Sequence, residues 1–327
     1  MQKFLLNKWI RSRLFACLER RLAVDLALYT TIHPGTRPFL REWYESVRKQ
    51  TDPEFDLWIG IDAMSVEEAH AAMGAQPEAH WVKAEEGDTP AQVRERSWQR
   101  LIPHADAVVM VDADDVLHPK RIEQARKNIK DNDLTGCALR LVDSEGDDLN
   151  HVMPLEKYAS PEQALPAYNI FGLSNTTHRT DLLERCLPVP EEVVLIDWYL
   201  ATRAWLEGQD LFFDQKVQME YRQHEESTLS LLPPFTPEQI RKATRVVQQH
   251  FQVVVEHSPI DVREDRLKQL KQAADRVRAF ANFALASPEW LDWYTEELNQ
   301  LSPLPLWWAC VAHPDLEFLW TQSTLSE

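Results

Sequence analysis

Three carboxylates crowd the end of one short apolar run. Residues 108–111 are apolar and rich in β-branched side chains, and Asp112, Asp114 and Asp115 follow within a few positions. A short run without polar alternation predicts a strand that is buried on both faces. Because ligands of open α/β sheets bind outside the carboxyl ends of the strands, this strand end is a candidate binding site.

Carboxylate oxygens suit a divalent cation such as Mg²⁺ or Mn²⁺. If the chain has already turned after residue 111, Asp112 and Asp114 can both approach one ion. The alternative is an ordinary acidic turn that caps the helix predicted over residues 120–129. For Asp115 we favour a charge at the helix N-terminus over a third role in the site.

The residues before this strand alternate between strand and helix patterns. The predicted elements are strands over 24–32, 55–61 and 81–83 and helices over 38–50, 65–73 and 90–101. Ser65 and Glu68 have the spacing of a capping box. Strand, helix and strand in this order imply a parallel sheet. Since Asp62 ends the second strand, carboxylates follow two strands, as in a nucleotide-binding half-domain.

Later patterns add further strands and helices. We expect a strand over 137–142 with an antiparallel addition at 151–153, a polar loop or edge strand over 171–179, and one or two short strands over 212–219. Asp197 can cap the helix predicted over 198–207, have a chemical role, or do both. After a boundary at 232–234, we expect helices over 236–255, with Thr236 as N-cap and Pro237 at N1, and over 261–285 and 287–298.

Composition excludes several classes of function. The chain of 327 residues has only 8 glycines and neither glycine-rich phosphate motif, which argues against Rossmann dinucleotide and P-loop binding. A net charge of −17 argues against nucleic-acid binding. Four widely spaced cysteines without a C-x-x-C pair predict free thiols in a reducing compartment, hence a cytoplasmic protein without structural zinc.

Two terminal segments are candidates for contact with the cytoplasmic face of a membrane. Residues 1–22 read as a basic amphipathic helix that either lies on an anionic membrane or packs on this acidic protein, and we favour packing. The tail from residue 303 is rich in aromatic side chains, including Trp307, Trp308, Phe318 and Trp320. For these residues too, we favour packing on the main domain over a partner or membrane patch.

Taken together, these segments resemble a family 2 glycosyltransferase over about residues 24–230. SVRKQTDPEFD at 46–56 is similar to the family's S-x-x-x-Q-T-x-x-x-F-E, and DADD at 112–115 to its D-x-D-D. IDWYLATR at 196–203 resembles E-D-x-x-L-x-x-R, with Ile196 in place of the first acid, and YRQHEES at 221–227 resembles Y-R-x-H-x-x-S. The Q-x-x-R-W element of processive relatives is absent, which favours transfer of a single sugar.

The resemblance implies a GT-A fold, in which a Rossmann-like mixed α/β sheet is flanked by helices. The expected division is an N-terminal helix at 1–22, the transferase domain at 23–232 and a C-terminal helical region at 233–327. The implied reaction moves one sugar, with inversion, from a nucleoside-diphosphate sugar, a UDP-sugar being favoured. The acceptor is a hydroxyl of a glycan, a lipid-linked molecule or another compound.

Roles for individual residues follow from the same resemblance. Asp197 is the expected catalytic base, and Mn²⁺ or Mg²⁺ is the expected cofactor. The remaining expectations are Thr31, Asp62, Arg94 and Asp112 as nucleotide-binding residues, Asp114, Asp112 and His224 as metal ligands, and Asn175 and Thr176 as the lining of the donor or acceptor pocket.

Two other classes of function share part of this pattern. A haloacid-dehalogenase-like phosphatase also places D-x-D after a strand, but here the motif is central in the chain and Asp115 and Val116 replace the expected Gly-Thr. A non-catalytic transferase-like domain that binds a nucleotide or a partner is the stronger alternative. The argument against it is the presence of all five expected site residues, Asp62, Asp112, Asp114, Asp197 and His224.

Overall fold

The computed structural model describes residues 24–153, 160–224, 231–259, 262–301 and 306–321. These residues form one mixed sheet of nine strands with helices packed on it, so the predicted α/β fold class is confirmed. The strands are β1 (Leu26–Ile32), β2 (Phe55–Ile61), β3 (His80–Lys83), β4 (Ala107–Met110), β5 (Val116–Leu117), β6 (Leu134–Val142), β7 (Asp148–Met153), β8 (Thr176–Arg179) and β9 (Leu211–Arg222).

The helices include three long ones near the C-terminus. They are α1 (Leu40–Arg48), α2 (Val66–Met73), α3 (Pro90–Leu101), α4 (Arg121–Ile129), α5 (Pro161–Ala164), α6 (Thr180–Arg185), α7 (Ile196–Leu206), α8 (Pro237–Glu256), α9 (Glu264–Ala284), α10 (Pro288–Gln300) and α11 (Phe318–Thr321). The predicted capping box of Ser65 and Glu68 begins α2, and Thr236 caps α8 with Pro237 in its first turn.

Four parallel strands bring the candidate residues to one edge of the sheet. The order β3-β2-β1-β4 places β1 in the middle, where Tyr29 pairs with Trp58 on one side and Met110 on the other. Parallel neighbours end at the same edge, so the chain after β4 lies near the chain after β1 and β2. Both faces of β4 are buried, as its unbroken apolar run predicts.

Two predictions about the later strands need correction. Residues 171–175 form a loop with a short 3-10 turn, as one alternative predicted, but residues 176–179 are not an edge strand, because β8 pairs antiparallel with β4 and with β6 inside the sheet. The buried guanidinium of Arg121 supports this polar strand, because it donates to the hydroxyl of Thr177 at 3.4 Å and to the carbonyl of Thr176 at 2.9 Å. The residues expected to form one or two short strands belong to the single twelve-residue strand β9.

Helix α7 begins earlier than expected. The position before its first residue, Ile196, is occupied by Leu195, which makes no side-chain capping bond. Asp197 therefore lies inside the first turn, and the alternative that it is the N-cap is wrong. A carboxylate in a first turn is still favoured by the helix dipole.

Most of the described residues after 235 are helical, and their core continues into that of the sheet. Trp307, Trp308 and Trp320 are at most 7% exposed, whereas half of Phe318 is exposed. Within the described ranges, no helix combines the length and apolar character needed to cross a membrane. The basic helix expected at 1–22 lies outside the described residues, and the domain division at 232/233 stays a prediction.

Candidate active site

Asp115 is the internal anchor of the turn that follows β4. It is 1% exposed, and its Oδ1 accepts the backbone N–H of Arg222 at 2.8 Å. Its Oδ2 accepts the hydroxyl of Ser174, whose oxygen accepts the backbone N–H of Asp112 at 2.9 Å. The prediction that Asp115 is a charge at a helix N-terminus is wrong, because α4 begins only at Arg121. The carboxylate of Asp115 instead accepts hydrogen bonds from Arg222 of β9 and from Ser174.

The guanidinium of Arg222 holds the same turn from the other side. Its side chain is 1% exposed, and its Nε donates to the carbonyl of Asp114 at 2.8 Å. Nη1 donates to the carbonyls of Asp143 and Ser144 at 3.2 and 3.0 Å, and Nη2 pairs with Glu42 at 2.5 Å. Arg222 therefore joins three separate segments around the acidic turn.

Asp114 presents its carboxylate outward from this anchored turn. Its Oδ2 lies 3.0 Å from Nε2 of His224, and the two side chains are 26% and 14% exposed. The His224 ring packs against Phe39 with 5.1 Å between ring centres. The carboxylate of Asp114 is therefore partly exposed and accessible to a ligand, with the imidazole of His224 beside it.

Asp112 lies beside a positively charged side chain. Its side chain keeps 37% of its surface, and Arg94 Nη2 lies 4.0 Å from its Oδ1. Burial first and the charge of Asp114 second raise the pKa of Asp112 to about 7, although the charge of Arg94 opposes the rise. The pKa of Asp115 is held well above its usual range, first by burial and then by Asp114. Crowded carboxylates of this kind favour a bound cation.

Asp197 faces the same cluster from the start of α7. Its Oδ2 accepts a hydrogen bond from Nδ2 of Asn169 at 2.7 Å. Burial raises the pKa of Asp197, whereas hydrogen bonds from Trp198 and Asn169 and the charge of Arg94 lower it. The charge of Asp197 also raises the pKa of Asp112, so the two carboxylates are close enough to interact electrostatically.

Thr31 and Asp62 share this edge of the sheet. Thr31 lies near the end of β1, and its hydroxyl is 2.8 Å from that of Tyr29. Asp62 directly follows β2, and its backbone N–H donates to the carbonyl of Ile32 at 3.0 Å. Both side chains are half-buried, so they can face a ligand at the strand ends.

Asn175 and Thr176 face the interior of the sheet. Each is 1% exposed. The amide of Asn175 donates to the carbonyls of Cys137 and Ile170 at 2.8 and 3.2 Å, and the hydroxyl of Thr176 donates to that of Leu173 at 3.3 Å. These bonds join strands and turns, and a role for either residue in a donor or acceptor pocket stays a prediction.

The side chains at this edge are of the kind that bind Mg²⁺ or Mn²⁺, but few of them are close together. Over the described ranges, no three His, Cys, Asp or Glu side chains converge as a complete metal cage. Mg²⁺ is commonly held by one or two carboxylates together with substrate phosphates and water. Asp112 and Asp114 can supply such a pair, with the imidazole of His224 beside it.

Comparison with known proteins identifies the fold. No family profile and no curated protein matches this chain. Among solved structures, the mannosyltransferase PcManGT from Pyrobaculum calidifontis, in complex with GDP-Man and Mn²⁺, superposes with a TM-score of 0.56. It is 15% identical, over 98% of this chain and 87% of its own. The chain thus shares a glycosyltransferase fold, with helices flanking a mixed sheet.

A second solved structure leads to the same conclusion. TarS residues 1–349 from S. aureus, in complex with UDP-GlcNAc, superposes with a TM-score of 0.52 at 14% identity. The match covers 85% of this chain and 92% of that one. The GT-A architecture expected from the sequence therefore agrees with two superpositions, which at these identities concern the fold alone.

Two contributors to the site, Ser174 and Asn169, were not singled out from the sequence, because they lie in a segment without a recognised motif. Trp307 was expected only to pack on the main domain. A lone asparagine between Tyr168 and Ile170 was the only available signal for a buried amide. Its partner, the carboxylate of Asp197, becomes visible only once the chain has folded.

Proposed function

We propose that the protein is a metal-dependent glycosyltransferase that moves one sugar from a nucleoside-diphosphate sugar to an acceptor hydroxyl, with inversion. The observation that carries this proposal is the gathering of Asp112, Asp114, Asp197 and Arg94 at one edge of a transferase-type sheet. The two similar structures hold GDP-Man and UDP-GlcNAc, which supports a nucleotide sugar as the donor class.

In this proposal the donor lies across the carboxyl ends of β1, β2 and β4. Asp62 and Thr31 contact the nucleoside, since they end the strands on that side of the sheet. Arg94 lies 4.0 Å from Asp112, where its guanidinium can also reach a diphosphate oxygen. Asp112 is shared between the ribose and the metal.

Asp114, Asp112 and His224 are the residues that would hold Mn²⁺ or Mg²⁺. When bound, such an ion stabilises the negative charge of a departing diphosphate. The neighbouring structure with GDP-Man also contains Mn²⁺, which supports a divalent ion here. Arg222 and Asp115 keep the Asp114 turn in place, so the ligand geometry does not have to be formed during the reaction.

Asp197 is the proposed general base. Its carboxylate accepts the proton of the acceptor hydroxyl while that oxygen forms a bond to the anomeric carbon of the donor sugar. The bond from the anomeric carbon to the diphosphate oxygen breaks, and its electron pair leaves with the nucleoside diphosphate. Attack from the face opposite the leaving group inverts the anomeric configuration.

The test is a panel of UDP- and GDP-sugars with glycan and lipid-linked acceptors, scored for release of nucleoside diphosphate with Mn²⁺ and with a chelator. We expect metal-dependent release from one donor, which Asp197→Asn abolishes. Asp292→Asn, on the exposed side of α10, makes the same carboxyl-to-amide change away from the site and should keep full activity. A UDP-sugar is the favoured donor.

The outcomes separate the two candidate functions. Release with one donor, loss with Asp197→Asn and retention with Asp292→Asn together support the transferase. Binding of a nucleotide without turnover of any donor would instead favour the non-catalytic domain. Activity that is equal in Asp197→Asn and the unmutated chain would leave the transferase without its proposed base.

A further inference from the structure

Asn169 is an unusually constrained partner of the proposed base. Its side chain is fully buried, and its Nδ2 donates to Oδ2 of Asp197 at 2.7 Å. Its Oδ1 accepts the backbone N–H of Phe171 at 3.0 Å. Because the oxygen already binds a backbone donor, the amide cannot rotate by half a turn, and its N–H must face Asp197.

The C-terminal region holds the Asn169 segment in place. Trp307 forms an antiparallel bridge with Asn169. Its ring lies against Gly172, where an added Cβ would come within 2.8 Å of the ring. The Nε1 of Trp307 lies 3.4 Å from the hydroxyl of Tyr221, and the two rings meet edge to face at 5.6 Å. One tryptophan therefore joins the Asn169 segment to the end of β9.

We propose that Asn169 is a positioning residue for Asp197 and that Trp307 keeps it in register, so that the C-terminal region is part of the catalytic apparatus. The inference rests on the proposed function, in which Asp197 is the base. Asn169 occupies Oδ2 and fixes the plane of the carboxylate. Oδ1 is then the oxygen that takes the proton of the acceptor hydroxyl.

The charged and polar groups around Asp197 determine how its pKa should respond to a substitution of Asn169. The groups that act on it are Arg94 on α3, Asp112 after β4 and the N–H of Trp198 on α7. None of these is altered when Asn169 is replaced. A donor to a carboxylate favours its charged form, so loss of the Asn169 N–H must raise the pKa of Asp197.

The experiment measures the pKa of Asp197 directly, by carboxyl-carbon NMR on the full chain with Asp197→Asn used for assignment. Asn169→Leu has nearly the same shape but no donor, and it should raise that pKa by about one unit, as loss of a hydrogen bond to a charged group predicts. Thr202→Val is the matched control, because Thr202 is buried on α7 and its hydroxyl has no hydrogen-bond partner among the described atoms. It should leave the pKa unchanged.

Trp307 is tested in the same way. Trp307→Ala should raise the pKa of Asp197 in the same direction, whereas Trp293→Ala, which removes a 46% exposed ring from α10, should not. If Asn169→Leu fails to fold, Asn169→Ser, too short to reach Asp197, should give the same rise. An unchanged pKa in either Asn169 variant overturns the role of Asn169, and an unchanged pKa in Trp307→Ala overturns that of Trp307.

Transfer kinetics provide the second readout. In Asn169→Leu the acid limb of the kcat profile should move up by the same amount as the pKa, while the affinity for nucleoside diphosphate stays within about twofold. A lower kcat without movement of the acid limb would make Asn169 merely structural. If the unmutated chain transfers no sugar at all, the proposed function fails, and the NMR titration still decides whether Asn169 controls Asp197.

Discussion

Nε2 of His224 lies 3.0 Å from Oδ2 of Asp114, although the two residues are 110 positions apart in the chain. The contact brings the end of β9 onto the acidic turn after β4. His224 is a neighbour of Arg222, whose guanidinium binds the carbonyl of Asp114. One strand end therefore both supports the turn and places an imidazole beside its exposed carboxylate.

From this arrangement we expect Asp114→Ala to remove the metal dependence of nucleotide binding. With the unmutated chain, Mn²⁺ should tighten the binding of UDP or GDP by about tenfold or more, equivalent to about 1.4 kcal/mol. In Asp114→Ala, titration calorimetry should give nearly equal affinities with and without Mn²⁺. Asp292→Ala is the control, and a variant that retains the full effect of Mn²⁺ would exclude Asp114 as a ligand.

Asp197→Asn should separate binding from chemistry. The amide keeps the shape of the side chain but cannot accept a proton, so transfer should fall by about 10²–10⁴-fold, the usual contribution of a general base. The Kd for nucleoside diphosphate should change by less than about twofold. Single-turnover transfer and calorimetry on the same sample check both statements, and near-normal turnover would refute the assignment.

Arg222→Met should destabilise the fold as well as the site. The guanidinium is buried and donates to three backbone carbonyls, which lose their partner in the variant. Loss of charged hydrogen bonds of this kind costs about 2–4 kcal/mol in the free energy of unfolding, measured by urea denaturation. Glu42→Gln is the comparison, because it removes only the charge of a partner that is 52% exposed and keeps the guanidinium with its three carbonyl bonds, so its loss should be the smaller one. Equal losses would mean that the ion pair dominates.

Local patterns were sufficient for the parallel half of the sheet. The apolar run of β4, the capping pair of Ser65 and Glu68, and Thr236 before Pro237 each specify an element through neighbouring residues. Carboxylates at strand ends then follow from the parallel order. The sequence alone therefore predicts that Asp62 and Asp112 lie at the same edge of the sheet.

Long-range partners set the limits of the prediction. β8 appeared too polar for an inner strand, since its support by Arg121 comes from a helix far along the chain. Asp115 appeared to be a helix charge because its real partners, Ser174 and Arg222, are distant in sequence. Asn169 was missed for the same reason. Periodicity describes which face is buried but not which polar groups meet there.

His178 and His250, two of the buried histidines, should make the fold sensitive to mild acid. Burial lowers the pKa of His178 and of His250 to about 3, and His250 stacks on Trp198 with 4.2 Å between ring centres. In the unfolded chain their pKa is about 6.5, so between these values the unfolded state binds protons that the folded state does not. Stability is then complete above about pH 6.5 and falls as the pH drops toward 3.

His250→Phe should remove one of these two contributions while keeping the stacked ring. Between pH 7 and pH 5, each buried histidine costs about 2 kcal/mol of unfolding free energy, so the variant should lose about that much less than the unmutated chain. Urea denaturation at the two pH values measures the difference. His151→Phe, at an exposed position of β7, should retain the full loss. Identical acid sensitivity of His250→Phe and the unmutated chain would mean that His250 is protonated without unfolding, and that the helices around it open locally to admit the charge.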